Sequence, residues 1–175
     1  QGDQIAGATV EQAQASIDEL VQLHAPLWNS SQLDSLGWMP RHTFESSQGT
    51  RDLLRSVFDG FATRFEAMGS AEVLGLGAQL VRNIDGYDRA YPSNETIVHR
   101  DFRLDNLLFT QTATGIQVKV VDWQTASISA GLTDVAYFVG ASFNPEQRRE
   151  VEVELVQRYH DGLVHHGVSI SWSDA

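Results

Sequence analysis

No cysteine occurs anywhere in the 175 residues. That excludes a disulfide scaffold, thiolate metal sites and thiol nucleophiles, and leaves oxygen, nitrogen or a hard metal ion to carry any chemistry. No run approaches the roughly 20 apolar residues that a membrane span requires, and the first residues lack the basic-then-apolar pattern of a secretory signal. The expectation from these two absences is a soluble, cytoplasmic protein with no membrane partner. Positive charge is scarce as well: 12 basic side chains stand against 23 acidic ones, a formal charge of -11, and Lys119 is the only lysine. Without a basic stripe, nucleic acid is excluded as a partner. A small phosphate-bearing anion remains compatible when divalent cations accompany it, because carboxylates then act as ligands.

What is present suffices for a core. An apolar content of 42% in a chain of this length points to one globular unit. Thr9, with Gln12 three residues on, opens a capped amphipathic helix whose apolar positions are Ala13, Ile17, Leu20, Val21 and Leu23, and Pro26 should end it. From Pro26 to Gly49 no period survives, which predicts an ordered connection with short helical turns. A second helix is expected from Thr50 to Met68, with Leu54, Val57, Phe58, Phe61 and Phe65 on one side. Gly69 and Ser70 then supply a stop and a new cap for a third, from Ala71 toward Tyr87. Gly75 and Gly77 inside it cost roughly 1 kcal/mol each relative to Ala. Beyond Pro92 short β-prone runs follow at Thr96–Val98, Leu107–Phe109 and Val118–Val121, with a turn-rich stretch from Thr110 to Gly115. Helix returns over Leu132–Ala141 and Pro145–Val164. The predicted class is α+β, mostly helical, with a small β-hairpin patch.

Residues 99–106 read His-Arg-Asp-Phe-Arg-Leu-Asp-Asn between two of the predicted strands. A kinase catalytic loop needs a carboxylate that accepts or orients the acceptor's hydroxyl proton, and an amide oxygen five positions later that holds a metal ion. Asp101 and Asn106 have that spacing. Asp122 stands at the end of the Val118–Val121 run, where a strand would deliver it beside the Asn-bearing loop as a second hard oxygen ligand suited to magnesium. Such a reaction needs little covalent participation, so carboxylate, amide and cation suffice. Arg103 either faces solvent or reaches the transferring phosphoryl group to stabilise its charge.

The segments Val98-His-Arg-Asp-Phe-Arg-Leu-Asp-Asn-Leu-Leu-Phe109 and Val120-Val-Asp-Trp-Gln124 resemble the aminoglycoside phosphotransferase and choline kinase group of the protein-kinase-like fold. Gly131-Leu-Thr-Asp-Val-Ala136 is similar to the segment that follows the metal aspartate in that group, and Leu23-His24-Ala25 looks like a family packing feature. Gln124 departs from the pattern, which usually has an acid there. The resemblance implies an ATP- and magnesium-dependent phosphotransferase acting on a hydroxyl of a small-molecule acceptor. Asp101 and Arg103 would be catalytic, Asn106 and Asp122 metal ligands, and His99 and Asp134 structural supports of the loop. Such enzymes also use a β-rich lobe with a phosphate-covering loop and a phosphate-binding lysine. Lys119 lies in the strand before Asp122 and Gly75-x-Gly77 in a helix, so neither fits. Residues 1–175 are therefore read as the C-terminal lobe alone, with its last helices cut short, and as inactive by itself.

Two other readings stay open at this level: a kinase-fold binding module that has lost transfer, and a metal-dependent phosphoester hydrolase using His99, Asp101 and Asp122. Asp105 reads as a turn former, Trp123 as a packing residue, and His160, His165 and His166 as a solvated helix end. The acceptor, among amines, sugars, amino acids, aminoglycosides and acyl compounds, is not specified.

Overall fold

The computed structural model describes residues 1–172, and these form a mostly helical α+β protein. The chain divides into two compact units, Gln1–Pro40 with Ser93–Ala175, and Arg41–Pro92.

In the first unit, helix α1 (Val10–His24) begins with a capping box, in which Thr9 accepts from the Gln12 amide and Gln12 reaches back to the Thr9 amide. Its buried face is Ala13, Ile17, Leu20, Val21 and His24, the i, i+4, i+7 spacing of one helical stripe. This stripe packs on helix α6 (Pro145–His165). The crossing is close: a Cβ on Gly162 of α6 would lie 2.7 Å from Val21 Cγ2, so the glycine is there for approach. Outside the core, Arg158 of α6 makes a two-pronged bond to Asp18 of α1, at 2.7 Å from each oxygen. Helix α5 (Leu132–Ser142) adds Val135, Phe138 and Val139 to the same core, which Phe102, Leu104 and Leu107 complete from the loop region. Fully burying one such side chain contributes about 1.5–3 kcal/mol.

Strands come as two antiparallel pairs. β1 (Glu95–Val98) pairs with β4 (Ser127–Ala130), and β2 (Leu107–Thr112) forms a hairpin with β3 (Gly115–Val120). The predicted hairpin patch is thus accompanied by a second pair, and strand pairing runs through most of the stretch expected to be turn-rich, leaving Ala113 and Thr114 as the turn. β4 was not visible as Ser-Ile-Ser-Ala, which has little β propensity. It is fixed instead by its distant partner β1 and by the bond from the Ile128 amide to the Pro40 carbonyl at 2.8 Å.

The second unit holds α2 (Gln48–Phe65), α3 (Ala71–Arg82) and α4 (Ile84–Arg89). α2 stops before Met68 because the Met68 and Gly69 amides both return to the Phe65 carbonyl. The single helix expected to Tyr87 is interrupted at Asn83, whose backbone leaves the helical region and whose side chain caps the Gln79 carbonyl at 2.9 Å. Gly77 admits Phe58: a Cβ there would lie 2.9 Å from its ring, while Gly75 faces open space. The interior is ionic. Arg51, 2% exposed, donates to Asp88, to the Phe44 carbonyl, to Ser47 and to Gln48, and lies 3.8 Å over the Phe44 ring. Burial would push the Asp88 carboxyl up, but the hydrogen bonds from Ser47 and Arg51 and the Arg51 charge prevail and hold it below the usual range.

Candidate active site

Nested strand pairing makes the site. Because β1 pairs with β4 and β2 with β3, the loops 99–106 and 121–126 connect the same two ladders in opposite directions and are obliged to run side by side. Three bonds record this: His99 Nε2 to the Val121 carbonyl at 3.0 Å, the Val121 amide to the Asn106 carbonyl at 3.0 Å, and the Thr125 hydroxyl to the His99 carbonyl at 2.8 Å.

His99 is fully buried and neither of its nitrogens is free for proton transfer. Nδ1 accepts from the Asp101 amide at 3.3 Å, which puts the ring proton on Nε2, donating to Val121. Phe102, two residues past the ring's neighbour, is also fully buried and makes edge contacts with His99 and Phe138, anchoring the loop in the core. Between these anchors Arg100 adopts a left-handed backbone with φ of 66°, and Asp122 does the same at 65°. Left-handed non-glycine residues cost on the order of 1 kcal/mol and persist where the surroundings dictate them. Arg100 immediately precedes Asp101, and Asp122 is itself a candidate ligand.

Asp101 and Asn106 are in direct contact. Asn106 Nδ2 donates to the Asp101 carbonyl and to its Oδ2, each at 2.9 Å. The amide is thereby turned so that only its Oδ1 is left to meet a cation. Asp122 is exposed and, among the described residues, its carboxylate has no hydrogen bond or ion pair. Its position is tied to the loop through the neighbouring Val121. No cluster of three or more His, Cys, Asp or Glu that could hold a metal is found among the described residues. An Asn–Asp pair is nevertheless a reasonable donor set for magnesium, which keeps several waters and binds through one or two carboxylates plus substrate phosphates.

Asp134 sits fully buried in the first turn of α5 and accepts the His99 amide at 2.6 Å and the Arg100 amide at 2.8 Å, one on each oxygen. Its negative charge also lies where the α5 N-terminus favours it. His24, from α1, lies 3.5 Å from the same carboxylate and 2.7 Å from the Tyr159 hydroxyl of α6. Burial and the Asp134 charge drive the Tyr159 phenol far above its ordinary value, so it stays protonated beside His24. Gly131 makes the arrangement possible, since a Cβ there would lie 2.6 Å from the Tyr159 oxygen and 2.8 Å from Trp28. The Leu23-His24-Ala25 triplet therefore carries more than packing.

Arg103 is held by carboxylates: its Nε is 3.2 Å from Asp101 Oδ1 and its Nη1 3.1 Å from Asp105 Oδ2. Asp105 also accepts the Gln4 amide at 3.2 Å, while Gln4 Oε1 accepts the Leu104 amide at 2.9 Å, so the N-terminal residues clamp the turn that presents Asn106. Trp123 is 43% exposed and stands edge-on to His99 with ring centres 4.9 Å apart. Tyr137, three residues after Asp134 and so on the same side of α5, donates to Asp101 Oδ1 at 3.2 Å. Nothing in its own neighbourhood of sequence marked it; its i+3 relation to Asp134 was the available signal. Gln4 and Tyr159 had no such signal. Between α5 and α6 lies an apolar groove of about 540 Å³ lined by Leu132, Val135, Val139, Val153, Val156 and Trp172.

The model of the ecdysteroid kinase-like family matches residues 2–171. Among curated proteins, acyl-CoA dehydrogenase family member 11 of Homo sapiens is similar to the chain, with 27% identity over 127 residues. The match covers 71% of this chain and 14% of that protein, so the chain spans a small part of the length of this relative.

Proposed function

The chain belongs to the ecdysteroid kinase-like family, a kinase-like phosphotransferase family related to choline kinase and the aminoglycoside phosphotransferases, and we propose that it is the catalytic-loop lobe of an ATP- and magnesium-dependent small-molecule kinase. The observation that supports this reading is the Asp101–Asn106 contact, which brings a carboxylate and an amide five residues apart together in one loop.

In this reading Asp101 orients the acceptor's hydroxyl and takes its proton as the oxygen attacks the γ-phosphorus. Asn106 Oδ1 and the Asp122 carboxylate would hold magnesium, which would supply neutralising charge to the phosphate oxygens. Asp134 and His99 fix the loop by its amides and ring. Arg103, poised over Asp101, keeps that carboxylate in place and supplies positive charge at the edge of the transferring group. Lys119 is far along the β3 strand in sequence and has no such task. The phosphate-covering loop and phosphate-binding lysine are contributed from outside residues 1–175, and these residues alone are inactive.

Replacing Asp101 with Ala in the full-length protein carrying this chain is expected to lower transfer about 10²–10⁴-fold with little change in nucleotide affinity. Near-normal transfer in that variant would end the assignment.

A further inference from the structure

The two oxygens of Asp101 are held differently. Oδ2 receives the Asn106 amide at 2.9 Å, and the Arg103 Nε lies across both oxygens, at 3.2 Å from Oδ1 and 3.3 Å from Oδ2. The remaining partner of Oδ1 is the Tyr137 hydroxyl at 3.2 Å. Among these donors only Tyr137 is an O–H group, the same group that an alcohol acceptor presents to a base. Tyr137 is also able to leave. Its hydrogen bond is long, its side chain is 44% exposed, and its helix neighbours Ala136 and Gly140 are exposed, with nothing within 4 Å of where a Cβ on Gly140 would lie.

We propose that Tyr137 holds the acceptor's place at Asp101 Oδ1 and thereby keeps water from being activated there until an acceptor displaces it. This rests on the kinase reading above. Water is smaller than any acceptor and always present, so an open base beside a bound nucleotide would support hydrolysis. In that side reaction the water oxygen bonds to the γ-phosphorus and the bond from phosphorus to the β,γ-bridging oxygen breaks. The electron pair leaves with ADP and the water proton passes to Asp101. A phenol already hydrogen-bonded to Oδ1 denies water that position. Burial, the Asp101 charge and the hydrogen bond to it outweigh Arg103 and hold the phenol above its usual pKa, so it remains a donor.

The test is phosphate release from ATP and magnesium, without acceptor, by the full-length protein carrying this chain. Tyr137→Phe removes one oxygen from a half-exposed side chain and is expected to raise release roughly tenfold, the scale of one hydrogen bond to a carboxylate, with the KM for ATP unchanged. Adding Asp101→Asn should cancel the gain, which a general loosening of the fold would not do. The proposal is overturned if Tyr137→Phe releases phosphate no faster than the parent, if the gain survives in the double variant, or if mass spectrometry finds phosphate on Tyr137. Asp101→Asn alone separates the two levels. Loss of transfer there, with no gain in Tyr137→Phe, removes the guard and leaves the kinase reading standing; no effect of Asp101→Asn on either activity removes both.

Discussion

In the unit that carries the candidate site, Ile17, Leu20, Phe102, Phe138 and Leu163 are fully buried, and the buried carboxylate among them is Asp134. In Arg41–Pro92 the largest fully buried side chain is Arg51, while Leu53, Val57, Phe61, Val73 and Leu76 remain about half exposed or more. The first unit is organised by contacts that have no direction and sum over many atoms. The second is organised around one guanidinium that satisfies Asp88, Ser47, Gln48 and a backbone carbonyl together. Apolar packing degrades by degrees when an atom is removed, whereas a desolvated ion cluster fails when one charge loses its counterpart. The candidate site belongs to the first kind of interior, and there the buried carboxylate, Asp134, fixes two amides of the loop.

The largest effect expected from this contrast is at Arg51. Arg51→Met keeps an unbranched apolar stem but leaves Asp88, whose side chain is 9% exposed, without the guanidinium and with Ser47 and His42 as its remaining side-chain partners. The expected loss is about 3–5 kcal/mol, read as a lower denaturant midpoint and faster amide exchange in α2 and α4. Replacing both members, as Arg51→Met with Asp88→Leu, should recover most of it, because the cost lies in the orphaned charge. If Arg51→Met cost less than about 1 kcal/mol, the ionic interior would be incidental and the contrast would fall.

Gly162 tests the apolar unit. A Cβ there meets Val21 at 2.7 Å, and Val21 is β-branched and packed in the core, so it has little freedom to withdraw. Gly162→Ala is therefore expected to lower stability by about 1–2 kcal/mol, overpacking having overcome the gain in helix propensity. Gly75→Ala in α3, where nothing lies within 4 Å, should instead raise it by up to about 1 kcal/mol. Equal signs for the two, measured by thermal or denaturant unfolding, would mean that propensity and not the α1–α6 approach decides at Gly162.

That pair of glycines also shows what the sequence could and could not say. Both read as costs to a helix, and only the partner across the crossing separates a glycine needed for approach from one that is not. The same limit applies to the site. The spacing of Asp101, Asn106 and Asp122 was legible because one loop and one strand end carry it, and local chemistry restricts the residue types. The helices α1, α5 and α6 were legible as helical runs, α1 also from its apolar period and its cap at Thr9. β4 was not, because Ser127–Ala130 becomes a strand through residues about 30 positions away. Tyr137 and Gln4 reach the loop from other elements and Tyr159 reaches His24 beside Asp134, through contacts over 36 to 135 residues, and no local pattern announces such partners. The break at Asn83 was hidden for a different reason: the apolar pattern continues through it, and a side chain that bonds back to the Gln79 carbonyl ends the helix.

The smallest expected effect closes the contrast from the other side. Arg158 and Asp18 form a two-pronged guanidinium–carboxylate pair, both bonds at 2.7 Å, which in geometry is better than anything Arg51 makes with Asp85 at 3.1 Å. It lies on the surface, with side chains 42% and 53% exposed. If bond geometry governed strength, Arg158→Ala would rank near Arg51→Met. Water already solvates both charges in the unfolded chain and continues to screen them when folded, so the expected loss is under about 1 kcal/mol and should shrink further in 1 M salt. The Arg51→Met loss should persist at that salt, since its partner is shielded from ions. Denaturant midpoints of both variants at low and high salt give the comparison directly. A loss above about 2 kcal/mol at Arg158, unaffected by salt, would show that α1 and α6 are joined by this pair and not by the apolar stripe beneath it.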